Sequence, residues 1–104
     1  MRDQLARIEK QIDTIKRQLL AIGEMRPGSL TCQYRSPQDK KGAFYQISYT
    51  YNMRSRTEYV RKEFIPDLSR QVKNFKRFKL LTNRWVDLAL KHSQLKIALT
   101  AEKR

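Results

Sequence analysis

Two apolar runs at heptad spacing flank a stretch that alternates every second residue. Together these predict an α+β protein: an antiparallel two-helix coiled-coil stalk with a three-stranded antiparallel β head inserted at its tip. The chain has 104 residues and only three Gly and three Pro, which favours long regular elements in a single domain over residues 1–104.

The first helix is predicted over residues 3–24. Leu5, Ile8, Ile12, Ile15, Leu19 and Ile22 form a seam with steps of 3 and 4, and polar side chains fill the positions between. Arg26-Pro27-Gly28-Ser29 is read as its stop, because proline cannot continue a helix and glycine accepts a turn. The β head is placed at residues 30–63. Tyr45, Ile47, Tyr49 and Tyr51 alternate with polar residues, Leu30, Cys32 and Tyr34 do the same in a shorter strand, and Thr57, Tyr59 and Val60 belong to a third. Ser36–Gly42 is read as the first connection and Asn52-Met53 as the turn of the second hairpin. A long helix is predicted over 66–99, with Pro66 at its start and a seam of Leu68, Val72, Phe75, Phe78, Leu81, Trp85, Leu88, His92, Leu95 and Leu99.

The two seams are expected to meet. The antiparallel register that uses every seam residue of the first helix sets Leu5 against Leu95, Ile8 against His92 and Ile12 against Leu88. It continues with Ile15 against Trp85, Leu19 against Leu81 and Ile22 against Phe78. Leu68, Val72 and Phe75 are left to cover the sheet.

Charge carries the strongest hint of function. The formal net charge is +13. Residues 1–25 contribute only +1, residues 26–63 contribute +5 and residues 64–104 contribute +7. Self-repulsion of this kind destabilises a folded chain, so a polyanionic partner is the economical explanation. Nucleic acid is the expected partner, DNA favoured over RNA.

Two groups of cations are candidates for that contact. Arg70, Arg77, Arg84 and Lys91 recur every seven residues on the long helix, a stripe with roughly 10.5 Å between members, and Lys73 widens it. The competing reading is a seam flank paired with acids, but in the register above the facing positions are Gln4, Gln11 and Gln18, which are neutral. On the β head stand Arg35, Lys40, Lys41, Arg54, Arg56, Arg61 and Lys62. The first connection and the second hairpin are expected to present several of these on one edge, and a two-stranded ribbon fits a DNA major groove. Charge on a sheet edge also protects it from unwanted pairing. Tyr45, Tyr49 and Tyr51 are a stacking platform on one reading and the sheet's contact with the helices on another; Phe44 points to the opposite face.

Catalysis is not expected. The acids Asp39, Glu58, Glu63, Asp67 and Asp87 show no paired spacing for Mg²⁺, and the three glycines form no phosphate-cradling loop. The lone histidine, His92, lies on a seam, where fixing helix register is the simpler role. The lone cysteine, Cys32, allows neither an internal disulfide nor a cysteine-based zinc site. No cofactor is expected. No run of about 18 apolar residues spans a membrane, and the N-terminus lacks a signal-peptide h-region, so a cytoplasmic, nucleoid-associated protein is expected.

Met25–Leu30, Tyr34-Arg35, Gly42–Tyr49, Ser55–Val60, Ile65-Pro66 and Asn74–Lys79 together resemble a small uncharacterised prokaryotic family, a domain of unknown function often encoded beside transposases. The likeness covers roughly residues 19–90. Relatives commonly carry a cysteine-rich knuckle after the first Tyr-Arg; here Ser36–Lys41 holds no cysteine, so no metal function carries over. The resemblance implies a mobile-element setting and a transposase or recombinase as possible protein partner. Two functions follow as expectations: a dimeric DNA-binding accessory protein, or a coiled-coil adaptor docking on a nucleoprotein complex. Leu80, Val86, Leu90 and Ile97, off the seam of the second helix, and Leu20 on the first predict a homodimer.

Overall fold

The computed structural model describes residues 2–102. It is α+β, with two helices and, between them in chain order, a three-stranded antiparallel sheet. Helix α1 spans Arg2–Leu20, strands β1, β2 and β3 span Ser29–Ser36, Lys41–Tyr51 and Arg54–Val60, and a 3-10 turn at Lys62–Phe64 leads into α2 at Ile65–Glu102. The residues fall into two compact units. One is Gly23–Lys76; the other combines α1 and the chain up to Ile22 with α2 from Arg77 onward.

In the helical unit, every predicted seam residue is at least partly buried. Ile8, Ile15 and Leu81 are buried, and Leu5, Ile12, Leu19, Trp85, Leu88, His92 and Leu95 are half-buried. The Glu9 carboxylate meets His92 Nε2 at 3.0 Å, and Lys16 Nζ lies 5.4 Å from the centre of the Trp85 ring. Position rises along α1 as it falls along α2, so the chain directions are opposed. These contacts sit one residue from the expected Ile8–His92 and Ile15–Trp85 pairs.

Helix α1 ends at Leu20 rather than at residue 24. Its last turn closes through tight bonds, Ala21 N–H to the Gln18 carbonyl and Ile22 N–H to that of Leu19, both 3.2 Å. The chain then leaves at Gly23, well before the proline read as the stop. Gly28 has a different task. Its φ is +150°, and a Cβ there would come within 2.8 Å of the Ile47 side chain. Only glycine lets the backbone close over that residue.

The sheet unit is built around Ile47, which is 1% exposed. Antiparallel pairing places Leu30 and Glu58 on either side of it. Val72 on α2 is the other buried apolar residue of this unit, and Leu68 lines a recess with Ile47, Val60 and Phe64. The segment before β1 is tied to α2 by three bonds: the Asn74 amide donates to the Glu24 carbonyl at 2.9 Å, the Gln71 amide to the Glu24 carboxylate at 3.5 Å, and Arg26 N–H to the Gln71 carbonyl at 3.2 Å. Strand β2 begins at Lys41, so the first connection is only Pro37–Lys40, shorter than the loop expected through Gly42. The second hairpin turns on Asn52 and Met53 as anticipated, with φ of 51° and 64°. A two-residue turn with both centres left-handed matches the twist of the strands. Asn tolerates that backbone, whereas Met53 adopts it at a cost of about 1–2 kcal/mol.

Candidate nucleic-acid interface

The meander decides where the cations of the sheet unit can meet. β2 is eleven residues long, so its two turns stand roughly 33 Å apart. Arg35, Lys40 and Lys41 gather at the β1–β2 end, while Arg54 and Arg56 belong to the β2–β3 end. The expected single basic edge does not form, because consecutive turns of a meander lie at opposite ends of the shared strand. Pairing parity divides them further. Lys41, Arg54 and Arg56 share the face of Ile47, and Arg35 lies on the other. Arg61 and Lys62 follow β3, outside the pairing.

On α2, Arg70 and Lys73 belong to the sheet unit, and Arg77, Arg84 and Lys91 to the helical unit. The last three keep their seven-residue spacing on one uninterrupted helix. Lys91 lines a groove with Gln4, Arg7, Gln11 and Gln94, floored by Ile8, Leu88 and Leu95. Two of the three neutral glutamines expected opposite this flank therefore do face it, and no acid stands among the lining residues.

All twelve candidate cations are exposed. Among the described residues only Arg70 of the twelve is in a salt bridge, to Asp67 at 3.2 Å. The acids of the sheet unit are met chiefly by neutral donors. The Ser36 hydroxyl donates to Asp39 at 3.5 Å, the Tyr49 hydroxyl to Glu58 at 3.1 Å, and the Gln71 amide to Asp67 at 3.0 Å. That unit carries eleven basic and five acidic side chains, a net of +6.

The tyrosine stripe is split by depth. Tyr45 and Tyr49 are half-buried beside Ile47, while Tyr51 is 67% exposed. Phe44, on the other face, leans on Tyr59 with ring centres 5.7 Å apart. Arg26, which the sequence reading used only as a helix stop, sets its guanidinium 5.0 Å from the centre of the Tyr49 ring. No local pattern signals that contact, because it joins residues 23 positions apart; the Asn52-Met53 turn signals only that Tyr51 lies against Arg54 and Tyr49 against Arg56. On β1, the charge of the neighbouring Cys32 thiolate pushes the Tyr34 phenol above its ordinary value of 10.0. Among the described residues, no three His, Cys, Asp or Glu side chains group as a metal site would, and no helix is long and apolar enough to cross a membrane.

No curated protein and no solved structure matches the chain. A family pattern does match over residues 5–70. That span takes in most of α1, the whole sheet and the start of α2, and it stops before Arg77, Arg84 and Lys91. The chain belongs to the family described as a domain of unknown function, DUF6788.

Proposed function

We propose that the protein is a non-enzymatic nucleic-acid-binding accessory protein, with duplex DNA in a mobile-element setting as the favoured partner. The observation that carries the proposal is the unneutralised charge: eleven of the twelve candidate cations are exposed with no salt bridge among the described residues. Structural surface charge is usually interspersed with acids. Here the acids are largely met by neutral donors, and the cations are left for phosphate. The helical row of Arg77, Arg84 and Lys91 and the hairpin pair Arg54 and Arg56 are the proposed contacts. If about five cations reach phosphates, log K should fall with log salt at a slope near −4.5 on duplex DNA. Reversing Arg77 and Arg84 to Glu should weaken binding and flatten that slope while leaving the melting temperature nearly unchanged. A salt-independent affinity, or full affinity in the double variant, would remove the helical row from the interface.

Coiled-coil pairing of α1 with the C-terminal part of α2 belongs to the same proposal, and so does a homodimer. Val86, Leu90 and Ile97 lie at steps of 4 and 7 on α2 and are 58%, 58% and 67% exposed. Asn83, Ser93 and Thr100 complete a second heptad line with them, and a polar Asn in such a line is a device for choosing one register. A second copy of the chain is the proposed occupant, bringing two basic rows to one duplex. Sedimentation should find a dimer that Leu90→Glu dissociates, with weaker DNA binding through lost bivalency. A wild-type monomer at tens of micromolar, indistinguishable from Leu90→Glu, would exclude the dimer and favour the adaptor reading, in which another protein covers this face.

A further inference from the structure

The β2–β3 hairpin is built unlike the rest of the sheet. β1 starts at Ser29, opposite Ser48, so beyond that point β2 pairs with β3 alone. The ribbon from Tyr49 to Arg56 therefore stands two strands wide, and its two faces differ. On one, the hydroxyls of Thr50 and Ser55 meet at 2.9 Å and those of Ser48 and Thr57 at 3.0 Å. That face satisfies itself. On the other, Tyr51 is opposite Arg54 and Tyr49 opposite Arg56, and these four with Asn52 line a cavity of about 500 Å³.

The two tyrosines are not equivalent. Tyr49 is held from above and at its hydroxyl, by Arg26 over its ring at 5.0 Å and by Glu58 at 3.1 Å. Tyr51 has no such partner among the described residues and is 67% exposed. An immobilised aromatic, an exposed aromatic and two guanidinium groups in no salt bridge among the described residues thus share one small concavity. We infer that this hairpin face is a binding site for an unpaired nucleotide: Tyr51 takes the base by stacking, and Arg54 and Arg56 take its phosphate.

The chemistry selects that ligand. Arginine pairs alone would serve any phosphate, but a free ring beside them offers a face to a flat partner. A base inside a duplex has both faces covered by its neighbours and shows only its edges in the groove. An unpaired base at a strand end or in a gap presents a whole face, and stacking on an aromatic side chain is the usual way to hold it. The site rests on the nucleic-acid reading above and adds what part of the nucleic acid the hairpin takes.

The test compares two fluorescent probes on the full chain at one salt concentration: a blunt duplex, and the same duplex with a short single-stranded thymidine overhang. The overhang should bind wild type about tenfold more tightly. Tyr51→Ala should abolish that gain and leave blunt-duplex affinity unchanged, and Tyr51→Phe should keep it. Met53, 100% exposed on the turn but outside the cavity lining, supplies the control. Met53→Ser should keep the gain, whereas a hairpin acting only as an apolar tip would lose it. Equal affinity of wild type for both probes, or a gain that survives Tyr51→Ala, overturns the site and leaves the basic-surface reading standing. Failure of both probes to bind overturns both readings.

Discussion

The helical unit and the sheet unit reach stability by different routes, although both are small and basic. The helical unit repeats one contact. Its apolar residues recur at 3 and 4 along each helix, and Ile8, Ile15 and Leu81 are buried. The sheet unit concentrates its burial at Ile47 and Val72, and it relies on Gly28 and three bonds between residues 24–26 and α2 to close around that centre. A repeated contact tolerates the loss of one member better than a single centre does. It also announces itself in sequence, because its period is visible without knowing the fold. A core gathered from a loop glycine, a strand and a helix has no period to read.

Three outcomes would break or sharpen that contrast. The largest is all-or-none. Cysteines at Glu9 and His92, on a Cys32→Ser background, should be bridged within one chain by a short bismaleimide, since the two side chains meet at 3.0 Å. Bridging only between chains would mean that the antiparallel repeat forms in trans. Next, Ile47→Ala should destabilise the sheet unit by about 2–4 kcal/mol, the usual cost of emptying a fully buried isoleucine site. Hydrogen exchange on β2 amides reads this directly. Unchanged protection there would show that the sheet does not depend on one residue. The smallest effect is Lys16→Gln, which removes the cation over Trp85 at an exposed site and should cost about 0.5 kcal/mol in thermal unfolding. A loss several times larger would give the helical unit a dominant contact of its own.

Much of the architecture was legible. The strands, the Asn52-Met53 turn and the presence of two helices follow from periods of 2 and 3.5 and from turn chemistry, all local properties of the chain. The boundaries were less so. Helix α1 gives way after Leu20, whereas the Arg26-Pro27-Gly28-Ser29 signal lay further on, because a helix end is settled by what the following residues bond to. Here those residues bond to Gln71 and Asn74, about fifty positions away.

The candidate site divides along the same line. Every cation in it could be named from the sequence, since charge and exposure of Lys and Arg follow from composition. Their grouping could not. Whether Arg35, Lys41, Arg54 and Arg56 share an edge depends on which end of β2 each turn occupies, and the meander separates them. Likewise, the alternation of Tyr45, Ile47, Tyr49 and Tyr51 placed four residues on one face, but not their depths. Burial of Ile47 follows from Gly28 closing against it, and the stacking of Arg26 on Tyr49 follows from the path of the segment between α1 and β1. The chain by itself determined the elements and the excess of positive charge, because these rest on composition and on neighbours within a few residues. Only the tertiary structure decided which tyrosine is left exposed beside Arg54 and Arg56, because that depends on pairing register and on contacts between residues distant in sequence.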